Sequence, residues 1–219
     1  MKKFFVIAAM MVAAVSANAQ FEPGTFSIQP KLGGVGSMLS NMSDYEFSGI
    51  KADKTANGGG IIGAEAEYQL MNMLSLAAGV NYSMQGTAWE DISFLGVDHG
   101  VDYKDRKIEL GYITVPIVAN IYLFRGFAVK TGAQFGFLTN ASYKLTKKTG
   151  STTVETDEDM KDQFEKFDFS IPVGVSYQFK VPIVIDARYN IGLTNVVKHS
   201  DESYKNQVFQ ITVGYKFKL

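Results

Sequence analysis

The 219-residue chain contains no cysteine, so it has no disulfide, no thiolate metal site and no cysteine on which a lipoprotein anchor is built. It has only two histidines, which leaves little for acid–base or metal chemistry. Beyond the N-terminus, no stretch reaches the roughly 18 consecutive apolar residues that a membrane-spanning helix needs. If this chain enters a membrane, it therefore does so as β-strands.

The N-terminus has the three parts of a secretory signal. Lys2 and Lys3 precede an apolar run, and the small-x-small triplet Ala17-Asn18-Ala19 follows that run. We predict a cleaved signal peptide over residues 1–19 and one β-barrel domain over 20–219. Cleavage removes two of the 21 basic side chains and none of the 22 acidic ones, so the net charge becomes −3. Nothing in this charge favours nucleic-acid binding.

The most regular stretch of the chain runs from Ile108 to Thr139. Apolar residues recur there at every second position on both sides of the tight turn Phe124-Arg125-Gly126, which predicts a long β-hairpin. The same alternation predicts six further strands, at Thr25–Gly36, Gly60–Leu70, 74–85, Phe167–Phe179, Pro182–Thr194 and Gln207–Leu219. Long polar loops are expected at Ser37–Gly59, Gly86–Lys107, Asn140–Lys166 and Asn195–Asn206, and short turns elsewhere.

Eight strands of about 11 residues, joined alternately by long and short connections, are typical of an outer-membrane barrel. A soluble lipocalin-like barrel with an apolar interior would alternate in the same way. However, the apolar face carries far more bulky side chains than the dozen or so that the interior of an eight-stranded barrel holds. We therefore predict an all-β, eight-stranded antiparallel up-and-down transmembrane β-barrel whose apolar face meets lipid. Aromatic residues gather toward both strand ends, as in the two girdles of such barrels.

The opposite face is polar, rich in glycine and nearly balanced in charge. Buried charges persist only when they are paired and hydrogen-bonded. We therefore predict an interior ion network that fills the lumen and excludes an open porin; the alternative is a set of solvated residues on a soluble barrel. The predicted members are Lys31, Glu65, Glu67, Lys130, Asp186, Arg188 and Lys216. Pro30, Pro116 and Pro172 fall inside predicted strands, so bulges or register shifts are expected there.

Three segments carry a family resemblance: Tyr112-Ile113-Thr114-Val115-Pro116-Ile117, then Gly132-Ala133-Gln134-Phe135-Gly136, and finally residues 186–195. Here the chain resembles the PorT-like outer-membrane β-barrel family. The resemblance implies a small barrel in the outer membrane of a diderm bacterium, and some members of that family serve protein secretion. Phe217 and Leu219 form an alternating apolar end that resembles a signal for the barrel assembly machinery.

We therefore expect a structural or recognition role, in which the barrel contacts outer-membrane lipid and the long external loops contact extracellular or secretion partners. We expect no catalytic residue, cofactor or metal site, and interpret the acidic run Asp157–Asp159 as solvated loop charge. Two alternatives are a secretion accessory and a lipid A-modifying enzyme. The enzyme would need the external loops to bring Ser93, His99 and the triplet His199-Ser200-Asp201 together.

Overall fold

The computed structural model describes residues 22–47, 50–94, 101–149, 151–200 and 202–219. The predicted signal peptide lies outside these residues. Eight long strands form the body of the molecule: β1 Phe26–Leu39, β2 Lys54–Met71, β3 Leu74–Trp89, β4 Val101–Phe124, β5 Phe127–Thr149, β6 Phe167–Gln178, β7 Ile183–Gly192 and β8 Asn206–Tyr215. The two-residue strand Phe217–Lys218 continues β8, and a 3₁₀ helix spans Lys161–Gln163. No helix among the described residues is long and apolar enough to cross a bilayer.

The eight strands close into a ring. Each strand pairs antiparallel with its neighbours in the chain, and β1 pairs with β2 on one side and with β8 on the other. Lys31, for example, lies opposite Gly63 on β2 and opposite Gly214 on β8. This topology confirms the predicted eight-stranded up-and-down barrel.

The two faces of the barrel wall also point as predicted. On β1, the lipid-facing Leu32 is 65% exposed, whereas the side chain of its neighbour Lys31 points inward and the residue is 3% exposed. Outward apolar and inward polar residues alternate in the same way on the other barrel strands. Because the bulky apolar side chains lie outside, the soluble lipocalin-like alternative is wrong.

Short turns join the strands at one end of the barrel. In the turn between β4 and β5, Gly126 has a φ of +84°. A Cβ at this position would overlap the carbonyl oxygen of Gln178, so both conformation and space require glycine. The aromatic rings gather at both ends of the wall: Phe124 stacks on Phe127 with centroids 4.7 Å apart, and Phe135 lies 5.5 Å from Phe169 at the opposite end.

At the other end the strands continue beyond the barrel, and the predicted loop boundaries are wrong there. β4 already begins at Val101 and β5 continues to Thr149, so both strands run far into the expected loops. The short strand Ile92–Phe94 pairs with β4, and the strand Thr152–Asp159 pairs with β5. The acidic run Asp157–Asp159 therefore lies in a strand. A small hairpin, Tyr45–Phe47 with Ile50–Ala52, forms within the expected first loop.

The expectation of bulges at the three prolines is also wrong. Pro30 pairs with Ala64, and the pairing of β1 with β8 keeps one register on both sides of it. Pro116 and Pro172 likewise interrupt the ladder toward one neighbouring strand without shifting it. A proline lacks only its own N–H, so it removes hydrogen bonding on one side while the other side stays paired. The register shifts lie elsewhere, for example between Gly111 and Tyr112.

Candidate functional site

Five charged side chains meet at the middle of the lumen. Arg188 on β7 donates from both terminal nitrogens to the two carboxylate oxygens of Glu65 on β2, each at 2.7 Å. Its Nε also lies 2.7 Å from Oδ1 of Asp186. Lys31 Nζ donates to Glu65 at 2.6 Å, and Lys130 Nζ donates to Asp186. We call these five residues the central cluster; it holds three cations and two carboxylates, and its side chains are almost completely buried.

A second group lies nearer the short turns. Lys216 Nζ is 2.7 Å from Oε2 of Glu67, while Ser75 and Tyr122 donate their hydroxyl protons to Oε1 of the same carboxylate, from 2.7 and 2.5 Å. Asn120 in turn donates to Ser75 at 2.9 Å. The structure thus places all seven predicted residues inside the barrel, divided between these two groups. Tyr122 was missed, although its position on the inward face of β4 was already visible in the alternation.

Both groups join strands that are not neighbours in the ring. Arg188 and Glu65 connect β7 with β2, which are separated by β8 and β1. Tyr122 and Glu67 connect β4 with β2 across the intervening β3. A contact between non-adjacent strands has to pass through the lumen. The charged side chains therefore occupy the channel and do not merely line it.

The outer end of the lumen is closed by apolar side chains. Leu39 on β1 and both Leu110 and Tyr112 on β4 pack with Phe164 and Val196 from two external connections. Phe164 forms an isolated β-bridge with the residue after Val196, and the Glu165 N–H donates to the Val196 carbonyl at 2.8 Å. This outer apolar plug was not predicted, because Phe164 and Val196 stand in segments without periodicity.

Four strands extend outward past the plug as one sheet, which we call the external sheet and whose base includes the plug residue Leu110. In spatial order it consists of Ile92–Phe94, the 101–111 part of β4, the 140–149 part of β5 and Thr152–Asp159. The long connections of outer-membrane barrels lie on the cell exterior, so this sheet faces outward. Among the described residues it has four strands, against two in the small hairpin of Tyr45–Phe47 and Ile50–Ala52.

One face of the external sheet carries a surface ion-pair network. Glu109 lies 2.7 Å from both Lys107 and Lys144, and Lys144 lies 4.0 Å from Asp157. Partial burial favours the protonated carboxyl, but the hydrogen bonds from the two lysines outweigh it and lower the pKa of Glu109. The hydrogen bond to Glu109 in turn raises the pKa of Lys144. On the other face, Lys147 Nζ lies 5.7 Å from the centre of the Tyr103 ring.

The residues considered for an enzyme are not assembled in the part of the chain that the structure describes. Ser93 lies in the outermost strand of the external sheet, and the Ser200 hydroxyl accepts a hydrogen bond from the Glu202 N–H. His99 and Asp201 lie outside the described residues. No hydrogen bond joins Ser93 with His199 or Ser200, and no group of three metal-binding side chains occurs among the residues described.

Comparisons with known proteins give one matching family and several similar solved structures. The model of the "Outer membrane protein beta-barrel domain" family matches residues 18–198. No curated protein matches the chain significantly. Among solved structures, Ail, the attachment invasion locus protein of Yersinia pestis, is 18% identical, with a TM-score of 0.39 over 89% of this chain and 99% of that chain. Neisserial surface protein A is 14% identical, with a TM-score of 0.43 over 89% and 97%. AlkL is 14% identical, with a TM-score of 0.37 over 93% and 95%.

The family match covers most of the barrel, from before β1 to beyond β7. It agrees with the closed ring of eight strands and with the apolar outer wall. The protein therefore belongs to the outer membrane protein beta-barrel domain family, and its barrel lies in the outer membrane.

Proposed function

We propose that this protein is a non-conducting barrel that anchors the external sheet at the cell surface, where the sheet recognises a partner. The observation that carries the proposal is the occupied lumen. The central cluster blocks the middle of the channel, and the outer apolar plug blocks its external mouth. A pore built in this way has no continuous aqueous path, so the surface outside the membrane is left to carry the function.

The closed lumen is tested by recording single-channel currents of the refolded barrel in a planar bilayer. We expect no step conductance above background for the natural protein. The triple variant Glu65→Ser, Arg188→Ser and Phe164→Ser removes one carboxylate, one guanidinium and one ring from the channel. It should open measurable steps if it inserts. Stable steps from the natural protein would refute the closed lumen.

Recognition is tested by shortening the external sheet. In the shortened barrel, β4 begins at Gly111 and β5 ends at Asn140, which lie opposite each other. This barrel keeps its membrane-spanning strand pairs and should still show the heat-modifiable band of a folded barrel. Both barrels are then applied to an array of immobilised peptides. We expect the full barrel to bind a subset of them and the shortened barrel to bind none. Equal binding by both barrels would place recognition elsewhere.

A secretion accessory is the second candidate, because two of the three PorT-like segments lie side by side on β4 and β5 of the barrel wall. Val115, Pro116 and Ile117 of the first segment lie directly opposite Phe135, Gln134 and Ala133 of the second. A shared patch of this kind suits a partner within the membrane. The test is to compare the proteins released by cells with and without this barrel. An unchanged set of secreted proteins would argue against this role.

Assembly is proposed to use the C-terminal strand. Phe217 and Leu219 are 50% and 70% exposed on the lipid-facing side, where a catalyst of membrane insertion can reach them. Phe217→Ser should slow the appearance of the folded, heat-modifiable form in cells. An unchanged rate would contradict this use. The lipid A-modifying alternative has no comparable support, since its candidate residues are not brought together in the described structure.

A further inference from the structure

We propose that the edge strand Thr152–Asp159 binds a basic, extended peptide segment by β-strand addition. The bound segment would form a fifth strand of the external sheet, with lysine or arginine at alternate positions. This inference rests on the proposed recognition role of that sheet and names the class of its partner.

The edge strand presents an unpaired row of backbone groups. All eight of its residues pair in unbroken register with β5, from Thr152 opposite Thr149 to Asp159 opposite Ser142. On its other side no strand among the described residues pairs with it. Natural edge strands are commonly protected by charged side chains, above all lysine, by proline, by a bulge or by a covering segment. This one has no lysine, proline or register shift, its charges are all acidic, and seven of its eight residues are exposed.

The charge of the strand specifies its partner. It contains Glu155, Asp157, Glu158 and Asp159 and no basic residue. Three of these acids stand at alternate positions and therefore share one face. The side chain of Asp157 is 65% exposed, and its nearest cation, Lys144, is closer to Glu109 at 2.7 Å than to Asp157 at 4.0 Å. These carboxylates are available to cations on an added strand, directly opposite or diagonal to them.

The same charges disfavour a second copy of this chain. If the edge strands of two copies paired antiparallel, acidic residues of one would stand opposite acidic residues of the other in every register that pairs the strand centres. Like charges directly opposite each other destabilise a sheet. The reverse face carries Val154, which is 53% exposed, the β-branched Thr152 and Thr156, and the fourth acid, Glu158. The partner strand is therefore expected to alternate basic residues with β-branched residues.

The probe is the capped peptide Lys-Val-Lys-Thr-Lys-Val-Lys, added to the purified full-length barrel in detergent micelles. Fluorescence anisotropy of the labelled peptide measures its affinity. One control peptide has the same sequence with alternate backbone nitrogens methylated, which keeps the charge and blocks strand pairing. A second control replaces every lysine with glutamate. We expect each control to bind at least tenfold more weakly than the probe.

The matched variants reverse two charges each. Glu155→Lys with Asp157→Lys should lose the basic probe and gain the glutamate peptide. Asp162→Lys with Glu165→Lys makes the same change in net charge at two exposed residues off the edge, and should bind as the natural protein does. All of these positions lie outside the membrane-spanning wall, and the heat-modifiable band shows whether each variant retains its barrel.

Equal binding of the methylated peptide would overturn the proposal, since attraction would then need no strand pairing. Equal binding of the glutamate peptide, or dimerisation of the barrel through this edge, would overturn it as well. None of these results bears on the closed lumen, which the bilayer recordings test separately. If shortening the external sheet abolishes every array signal but the basic probe does not bind, the basic partner is rejected and the recognition role stands.

Discussion

The central cluster predicts an unequal effect of removing one charge or the other. Glu65 accepts from both Lys31 and Arg188, so Glu65→Gln leaves Lys31 with no carboxylate and raises the excess of cations from one to two. Arg188→Met has the opposite effect. Lys31 then keeps Glu65, Lys130 keeps Asp186, and the remaining four charges are balanced. The carboxylate should therefore be the more costly residue to lose.

The expected magnitudes follow from burial. Breaking a buried ion pair by removing one partner costs about 3–5 kcal/mol, because the other charge stays buried and unpaired. We expect this cost for Glu65→Gln. Arg188→Met removes several charge-assisted hydrogen bonds without leaving an unpaired ion, so we expect about 1.5–3 kcal/mol. Glu155→Gln, on the exposed edge strand, should change the free energy of unfolding by less than about 0.5 kcal/mol and serves as the control.

The assay is equilibrium unfolding by urea of the barrel refolded in lipid vesicles, followed by tryptophan fluorescence and by the heat-modifiable band. The comparison uses differences between variants, which share one reference state. If Arg188→Met costs as much as Glu65→Gln, the charge count is not what governs stability. If Glu65→Gln is neutral, the central cluster does not hold the barrel together.

Three further outcomes test other parts of the structure. The pKa of Glu109 is lowered, so its ion pairs stabilise the external sheet above the ordinary carboxyl pKa of about 4.3 and lose that effect as the pH falls through the folded-state value. The pKa of Lys144 is raised, so its contribution is complete below about pH 10 and is lost as the pH rises through the folded-state value. The protection factors of amides in the external sheet, which compare observed exchange with the intrinsic rate at each pH, should therefore fall at acidic pH. Glu109→Gln should abolish that fall, and pH-independent protection factors in the natural protein would contradict the role of these ion pairs. Gly33→Ala should prevent closure of the barrel, because a Cβ there would overlap the Ile211 backbone. Gly36→Ala is the control: nothing lies within 4 Å of its added Cβ, so it should fold with the natural yield. Equal yields of the two variants would refute the steric argument. Phe164→Ala should lower the free energy of unfolding by about 3–5 kcal/mol if the outer apolar plug unfolds together with the barrel. If the plug unfolds separately, the loss should be far smaller, and a second transition should appear at lower urea concentration.

The barrel wall could be predicted from the sequence because its two faces meet opposite environments. On β6, every second residue from Phe167 to Tyr177 meets lipid and the residues between them face the lumen, so hydrophobicity changes at each step. A boundary between hydrocarbon and a polar lumen imprints a strong period of two on any strand that crosses it. Segments without that boundary lose the signal.

The external sheet could not be predicted for this reason. Residues 101–107 of β4 and 143–149 of β5 have water near both faces, so polar side chains are acceptable at every position. A register shift between Lys104 and Lys107 breaks the little alternation that remains. Three of the last four residues of the edge strand are acidic, and such a run in isolation is equally compatible with a loop. Only its pairing with β5 identifies it as a strand.

The interior charges add a constraint that the apolar pattern lacks. Sliding one strand by a single residue would turn its lipid face inward, so the outer wall alone forbids that shift. A slide of two residues preserves every lipid contact but moves a side chain by about 6.6 Å along its strand. Such a slide would separate Arg188 from Glu65, which now meet at 2.7 Å across two intervening strands. Several registers of the closed ring are equally compatible with a lipid-facing apolar wall, and the central cluster selects one of them. This explains why charged residues lie deep in the lumen, although an apolar lumen would avoid the cost of burying them.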